Sequence, residues 1–418
     1  MLKSTIVILP LALAGVTGCT FENGKCPDGF VCTRIADTQP AGGAGTGGGN
    51  QNGAGGRAVG NGGSDNGSGG AGHVGGSESD GGDSGDMGGH VTPTNPGGTW
   101  TNATGDLAGT PSGCGTIYYV TTKPGENLLI LGVAKRGVFT STDSGKSWSQ
   151  LGTGMGSASF GSALTDVVFD PEHDATWWLS GIRYGSPFRT DDDGETFQAL
   201  ANFDQNDGIS VDLSDPDRKT LLVGGHEQNQ MVQYSDDGGN TWQNIGVNLP
   251  ADAGFTSFPY VVDDRTFMLA TSNSTTYRTT NKGDTWSKVV NGGGGAKPLK
   301  HSDGSLYWAA RESGGLVRST DDGETWSVVT PPGVVFGMTP IELPDGRIAM
   351  RSAMGMLVSE DKGANWRQVT PPVPNDFWWY VSTYNAKDKA FYTTRFACEA
   401  TVVNADGLMR YPWDYTKD

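Results

Sequence analysis

Five arginines of this sequence stand between short apolar runs. They are Arg136, Arg183, Arg311, Arg351 and Arg395. A planar guanidinium pairs bidentately with carboxylate or sulfate, so such a group predicts an anionic ligand. The alternative is that each arginine pairs with a neighbouring acid, such as Glu312 or Glu399, and only ties loops together.

Acidic side chains in the same stretches are candidates for hydrolytic chemistry. Hydrolysis of a glycoside needs two carboxyl groups, about 5–5.5 Å apart for retention or roughly 6.5–9.5 Å apart for inversion. The candidate catalytic residues are Glu227, Glu312 and Asp166. Tyr184 and His226 are further candidates for ligand contact, although a lone histidine beside two glycines also fits a hydrogen-bonded loop residue. The histidine spacing suggests no metal site, and we expect no cofactor.

Two tryptophan pairs, Trp177-Trp178 and Trp378-Trp379, offer faces on which sugar rings could stack. Neighbouring residues of a strand point to opposite sides of a sheet. We therefore expect one tryptophan of each pair in the core and the other free for a ligand.

The N-terminus reads as a secretory signal. Lys3 precedes an apolar run over residues 6–16, which is too short to span a bilayer. The ending Val16-Thr17-Gly18-Cys19 resembles a bacterial lipobox. The resemblance implies that residues 1–18 are removed and that Cys19 carries lipid. Thr20 in place of Asp favours the outer membrane or the cell surface. The alternative is an ordinary signal peptide that leaves Cys19 as a plain thiol.

Two accessory segments follow the signal. Residues 19–40 contain Cys26 and Cys32, which flank a short loop and could form a disulfide. Residues 41–98 are rich in Gly, Ser and Asn and hold almost no large apolar side chain, so they predict a flexible tether with an end-to-end distance of about 40 Å. The net charge of −17 argues against nucleic acid as a partner. We expect contact with a membrane only through the lipid.

The rest of the chain, residues 99–418, is organised by a repeat. An octapeptide, Ser/Thr-x-Asp-x-Gly-x-Thr/Ser-Trp, occurs six times with few departures. Its copies span residues 141–148, 190–197, 235–242, 279–286, 319–326 and 359–366. Asp can accept bonds from the amides of its own turn, Gly takes the positive φ that the turn needs, and Trp is a large apolar anchor. All these roles are structural. The run Asp191-Asp192-Asp193 faintly resembles a calcium loop, but it lies inside a copy and favours the turn.

The octapeptide resembles the Asp-box, or BNR repeat, of bacterial sialidases, xyloglucan-hydrolysing enzymes, sortilin-type receptors and photosystem II assembly propellers. The resemblance implies an all-β fold, a seven-bladed β-propeller of four-stranded antiparallel blades with an Asp-box turn between the third and fourth strands. The seventh blade then comes from residues 367–418, with Ala400–Asn404 as third strand, Leu408–Tyr411 as fourth strand and Asn404 to Gly407 as a decayed turn.

The same resemblance implies that a ligand binds at the channel mouth on the face opposite the turns, where the five arginines would belong to blades one, two, five, six and seven. The first functional hypothesis is a monomeric cell-surface lipoprotein, similar to sialidase-type glycoside hydrolases, that binds or hydrolyses an acidic glycan. The second is a non-enzymatic scaffold that binds a protein partner at the same mouth. No Arg-Ile-Pro segment precedes the first copy, which weakens the case for sialidase chemistry.

Cys114 and Cys398 stand near the two ends of the predicted ring. Cys114 precedes the innermost strand of blade one, and Cys398 falls in a loop of blade seven on the same face. We therefore expect a disulfide that ties the first and last blades together. The alternative is a pair of buried free thiols.

Overall fold

The computed structural model describes residues 6–7, 33–34, 90–114, 116–161, 163–182, 186–294, 296–310, 315–374, 381–395 and 400–418. Within residues 1–85, β1 (Ile6–Val7) pairs antiparallel with β2 (Thr33–Arg34). Residues 86–418 form a separate compact unit, a seven-bladed β-propeller of four-stranded antiparallel sheets, which confirms the predicted fold class. No helix in the described ranges is long and apolar enough to cross a membrane.

Two strands of the propeller unit come before the first blade, and these are β3 (His90–Thr92) and β4 (Thr101–Asn102). Blade one contains β5 (Ile117–Thr122), β6 (Leu129–Val133), β7 (Gly137–Ser141) and β8 (Ser149–Gln150). Blade two contains β9 (Ala163–Phe169), β10 (Trp177–Ile182), β11 (Ser186–Thr190) and β12 (Gln198–Phe203). Blade three contains β13 (Asn206–Val211), β14 (Leu221–Gly225), β15 (Val232–Ser235) and β16 (Gln243–Asn244).

Blade four contains β17 (Phe258–Val261), β18 (Phe267–Ala270), β19 (Thr275–Thr279) and β20 (Ser287–Asn291). Blade five contains β21 (Leu299–Lys300), β22 (Leu306–Ala309), β23 (Leu316–Ser319) and β24 (Ser327–Thr330). Blade six contains β25 (Ile341–Glu342), β26 (Ile348–Ser352), β27 (Gly355–Ser359) and β28 (Asn365–Gln368). The last strands are β29 (Ser382–Asn385), β30 (Ala390–Thr394) and β31 (Leu408–Pro412). The first strand of each blade is innermost, and β29 packs against β5 to close the ring.

Blade seven differs from the prediction in its outer half. Its third strand is β31, and its fourth is β4 from the N-terminal side of the domain, with Met409 opposite Asn102. The stretch over 404–407, expected as a decayed turn, instead lies just before the third strand. The prediction was wrong because every other blade is built from consecutive strands. A ring needs hydrogen bonds across its seam, and the N-terminal strand supplies them here.

The seam is reinforced by the residues around β4, which we call the strap (residues 90–102). Its first strand, β3, adds in parallel to the outer edge of blade six, so that blade has five strands. Trp100 donates a hydrogen bond from Nε1 to the carbonyl oxygen of Pro371 at 2.9 Å, and its ring lies 5.3 Å from that of Tyr411. The strap includes residues 90–98, which composition alone assigned to the tether.

The six octapeptides form one recurring turn between the third and fourth strands of blades one to six. In the first copy, Asp143 accepts from the amide of Ser147 at 3.0 Å and from its hydroxyl at 2.6 Å, while Gly145 N donates to Ser141 Oγ at 3.0 Å. The two bonds that backbone amides donate, from the glycine and from the seventh residue of the octapeptide, recur in the other five copies. The turn glycines all have positive φ. The three acids of 191–193 have separate partners: Asp192 serves the turn, and Arg189 and Lys123 pair with Asp191 and Asp193.

The last residue of each octapeptide joins its blade to the preceding one. Trp148 donates from Nε1 to the carbonyl oxygen of Ala103, and Trp366 donates to Thr330 Oγ1 at 3.1 Å. The core consists of apolar clusters between neighbouring blades rather than one central mass; one cluster joins Ile130 of blade one to Leu164 of blade two. Each blade is therefore covered on both sides.

This double coverage overturns the expectation for the first tryptophan pair. Trp177 and Trp178 are both 0% exposed. Trp177 packs against Phe169 and Phe197, and Arg189 lies over the Trp178 ring. A middle strand of a blade has a neighbouring blade against each side, so alternation along it does not expose either residue. Trp378 and Trp379 lie outside the described residues.

Candidate functional site

The inner strands of three neighbouring blades are distorted at the end next to the face opposite the octapeptide turns, which we call the mouth face. Register shifts fall at Tyr118–Tyr119 in β5, at Thr165 in β9 and at Asp207–Gly208 in β13. A bulge inserts an extra residue and changes the direction of nearby side chains, and bulges occur often beside binding sites. Three bulges at the same position along the inner strands of contiguous blades mark this side of the channel as the candidate site.

An ion pair crosses the channel below these bulges. Lys297 stands in the connection that enters blade five, and its Nζ donates to Asp166 Oδ1 of blade two and to the carbonyl oxygen of Val167 at 2.7 Å. Blades two and five are three positions apart in a ring of seven, the largest separation that the ring allows. The side chain of Asp166 is 2% exposed and that of Lys297 is 28% exposed. Ile209 N of blade three donates to Asp166 Oδ2 at 3.2 Å.

Burial and the ion pair together shift the pKa values of Asp166 and Lys297. Burial raises the pKa of Asp166 above the ordinary value of an aspartate, and Lys297 partly offsets the rise. Although burial by itself lowers the pKa of Lys297, the nearby carboxylate more than compensates, and that pKa is raised. Burial also raises the pKa of Tyr119, so the phenol stays protonated beside the pair.

A second polar pair lies nearer the mouth face on blade three. His226 directly follows β14, and its Nδ1 lies 2.8 Å from Asp207 Oδ1 on the bulge of β13. The amide of His226 donates to the carbonyl oxygen of Gln205 at 2.7 Å, which fixes the start of this loop. Asp207 precedes Ile209 by two residues, so this pair lies roughly 7 Å along the strand from the Asp166 carboxylate. His226 is therefore a loop residue held in place by its bond to Asp207.

The described arginines differ in their surroundings. Arg136 is exposed in the loop after β6. Arg351 is buried in β26 and donates to Thr393 Oγ1 of blade seven at 2.6 Å. Arg395 pairs with Asp406 in its own loop. The arrangement of Arg395 matches the alternative in which an arginine pairs with a nearby acid. Arg351 instead bonds a hydroxyl group of the neighbouring blade.

The candidate acids are only partly brought together. Glu227 is half-buried beside His226 with a φ of 49°, a left-handed conformation that is costly for a residue other than glycine. Asp166 has both oxygens bonded inside the protein, whereas a catalytic acid or nucleophile must offer one to its substrate. Several predicted site residues lie outside the described residues, and these are Glu312, Arg183, Tyr184 and Arg311.

The cysteine predictions fall partly outside the described ranges, and the residues concerned are Cys19, Cys26, Cys32 and Cys398. Cys114 is half-buried just before β5. The segment before it runs antiparallel to residues 401–403 of blade seven. Ser112 N donates to the carbonyl oxygen of Thr401 at 2.9 Å, and Val403 N donates to that of Thr110 at 2.9 Å. The disulfide stays a prediction.

Lys297 and Tyr119 are site residues that the sequence analysis missed. Lys297 follows the run Gly292–Gly295 in a connection between blades. The glycine run is the sequence signal that could have identified Lys297, because glycines allow the backbone to pass close to neighbouring segments. A Cβ on Gly294 would lie 2.4 Å from the carbonyl oxygen of Thr271. Its partner is 131 positions away in the sequence, so no local pattern reveals the pair.

No protein-family model matches the sequence, and no curated protein matches it. Among solved structures, a catalytically inactive virginiamycin B lyase from Staphylococcus aureus with quinupristin gives a TM-score of 0.50 at 13% identity, over 75% of this chain and 97% of that one. An ancestral GH74 enzyme gives 0.46 at 13% identity over 71% of this chain, which spans only 45% of that enzyme. YCF48 from Cyanidioschyzon merolae gives 0.41 at 16% identity, over 60% and 85%. At such identities the likeness to the lyase supports the β-propeller fold and carries no activity over.

Proposed function

We propose that this chain is a ligand-binding propeller of the bacterial cell envelope, lipid-anchored through Cys19, that takes an acidic glycan at the mouth face. The main observation behind this proposal is that two polar pairs lie at the bulges, Lys297 with Asp166 and His226 with Asp207. They lie at two depths in the channel, so a ligand that enters from the mouth meets first the imidazole and then the ammonium.

The chemistry of these groups suits a hydroxyl-rich ligand that bears a negative charge. An ammonium donates three hydrogen bonds and accepts none, so it selects anions or carbonyl oxygens. The half-buried imidazole of His226 lies in the mouth loop that such a ligand would meet, and exposed Arg136 adds a cation on the same face. A concave mouth with a few convergent polar groups is the usual form of a small-ligand site.

Binding rather than hydrolysis is the function that this geometry supports best. The two carboxylates at the bulges are engaged: Asp166 with Lys297 and Ile209 N, and Asp207 with His226. A hydrolase needs one acid free to give its proton and another free to attack or to activate water. The protein-binding scaffold that the sequence also suggested gains no specific support from these contacts.

A glycan array tests the proposal, with the full chain carrying Cys19→Ala so that no lipid is attached. We expect binding to acidic glycans and a loss of about tenfold or more in His226→Ala, the scale of one or two lost hydrogen bonds. His173→Ala is the matched control, because His173 Nδ1 also bonds an aspartate, Asp170, at 3.1 Å but lies beyond the other end of its blade. Binding of neutral glycans alone, or an equal loss in both variants, would contradict the proposal. Release of reducing sugar from a bound glycan would show that the site is catalytic.

A further inference from the structure

The ion pair between Lys297 and Asp166 is not explained by the packing of the fold. The apolar clusters that hold the ring join neighbouring blades, whereas this pair joins blades on opposite sides of the channel. Bringing two charges out of water costs free energy that their attraction often fails to recover. A well-packed ring therefore has no need of the pair for its stability.

The backbone of Lys297 is nevertheless held firmly in place. Trp308 donates from Nε1 to the carbonyl oxygen of Ala296 at 2.6 Å, and Thr339 Oγ1 donates to that of Lys297 at 3.1 Å. These bonds come from blade five and from the connection that follows it. The lysine thus extends into the channel from a fixed base, which is the arrangement expected of a binding residue.

The ammonium group also has unused capacity. Of its three donors, one goes to Asp166 and one to the carbonyl oxygen of Val167, and the third has no partner within the described ranges. The side chain is 28% exposed, whereas that of Asp166 is 2% exposed. A ligand in the channel can therefore reach the lysine but not the aspartate.

We propose that Lys297 recognises the carboxylate of the ligand, and that Asp166 holds the ammonium in position until a ligand arrives. This inference rests on the proposed function and names the chemical class that the site selects, a carboxylate-bearing sugar. Asp166 competes with the incoming carboxylate for the ammonium group of Lys297, so it lowers the affinity of the site for anions. It also keeps Lys297 from being a buried charge without a partner.

The test uses D-glucuronate and D-glucose as probes, which differ in a carboxylate, and four proteins: wild type, Asp166→Asn, Lys297→Met, and the double variant. Affinities are measured by titration calorimetry on the full chain with Cys19→Ala. We expect Asp166→Asn to bind glucuronate about tenfold more tightly than wild type, the factor for one stronger charge-assisted bond. Lys297→Met and the double variant should lose binding of glucuronate. Lys300→Met is the matched control, because Lys300 bonds exposed Asp322 and should leave affinity unchanged.

Thermal unfolding provides a second measurement. Asp166→Asn leaves Lys297 without its counter-charge, so its melting temperature should fall and should be restored by glucuronate but not by glucose. The double variant removes both charges and should melt close to wild type. Equal affinity of wild type and Asp166→Asn for glucuronate, an equal gain for glucose, or no binding by any of the four proteins would overturn the inference. If the array shows acidic glycans that depend on His226 while Asp166→Asn changes nothing, the proposed function stands and only the role of Lys297 falls.

Discussion

Trp366→Ala should be among the most damaging single substitutions in the propeller. The indole is 2% exposed, packs in the cluster between blades five and six, and donates to Thr330 Oγ1 of the preceding blade at 3.1 Å. Removing a buried tryptophan side chain costs about 3–5 kcal/mol, and the lost hydrogen bond adds about 1 kcal/mol. We therefore expect the free energy of unfolding to fall by about 4–6 kcal/mol.

The repeat itself provides the controls for this measurement. Trp326 holds the same position in blade five, but it is half-buried and donates to Gly323 of its own turn, so Trp326→Ala should cost about 1–2 kcal/mol. Phe stands at this position in blade two, as Phe197, so Trp366→Phe should cost about 1–2 kcal/mol, mainly for the lost bond. Urea unfolding followed by circular dichroism gives all three values. If Trp366→Ala costs no more than Trp326→Ala, the bond between blades is not what makes this position important.

Three further predictions follow from the turns and the cysteines. Hydrogen bonds from Thr241 and Ser235 lower the pKa of Asp237 to about 2, below its ordinary 3.8. The ionised carboxylate therefore stabilises the fold above pH 4, and this contribution is lost as the pH falls towards 2. The melting temperature of Asp237→Asn should fall less with acid than that of wild type, and an identical pH profile would contradict this. Non-reducing peptide mapping of exported protein should recover Cys114 and Cys398 in one linked peptide, and separate alkylatable peptides would refute the disulfide. Cys19→Ala should move the protein from the detergent phase to the aqueous phase in a partitioning assay, whereas wild type in the aqueous phase would exclude lipid attachment.

The sequence predicts the blades well because the repeat carries its own chemistry. It places the octapeptide turn between the third and fourth strands of a blade, and the structure has it there in blades one to six. Asp, Gly and the hydroxyl residue of each octapeptide determine the hairpin locally, so no long-range information is needed. Blade seven is different, because its fourth strand is contributed by residues about 300 positions earlier.

The site is less predictable than the fold for a related reason. His226 could be identified as a loop residue from its two preceding glycines, but its partner Asp207 is fixed by a bulge that alternation does not show. Lys297 and Asp166 meet only because the ring brings blades two and five to face each other across a narrow channel. The pairing of Arg395 with Asp406 likewise depends on how one loop folds back. Such contacts depend on closure of the whole domain.

The order of strands in blade seven also limits when the ring can close during synthesis of the chain. The strand that completes the ring, β31, is the last of the described strands but lies third in its blade, between β30 and β4. Thr101 and Arg410 pair across 309 positions, and the entropy of closing so long a loop must be met before the seam gains any contact. Thr101 and Asn102 therefore lack their partner strand until the chain has been synthesised as far as residue 412. Until then the growing chain presents unpaired strand edges at both ends, and these are the edges through which two nascent copies would join each other.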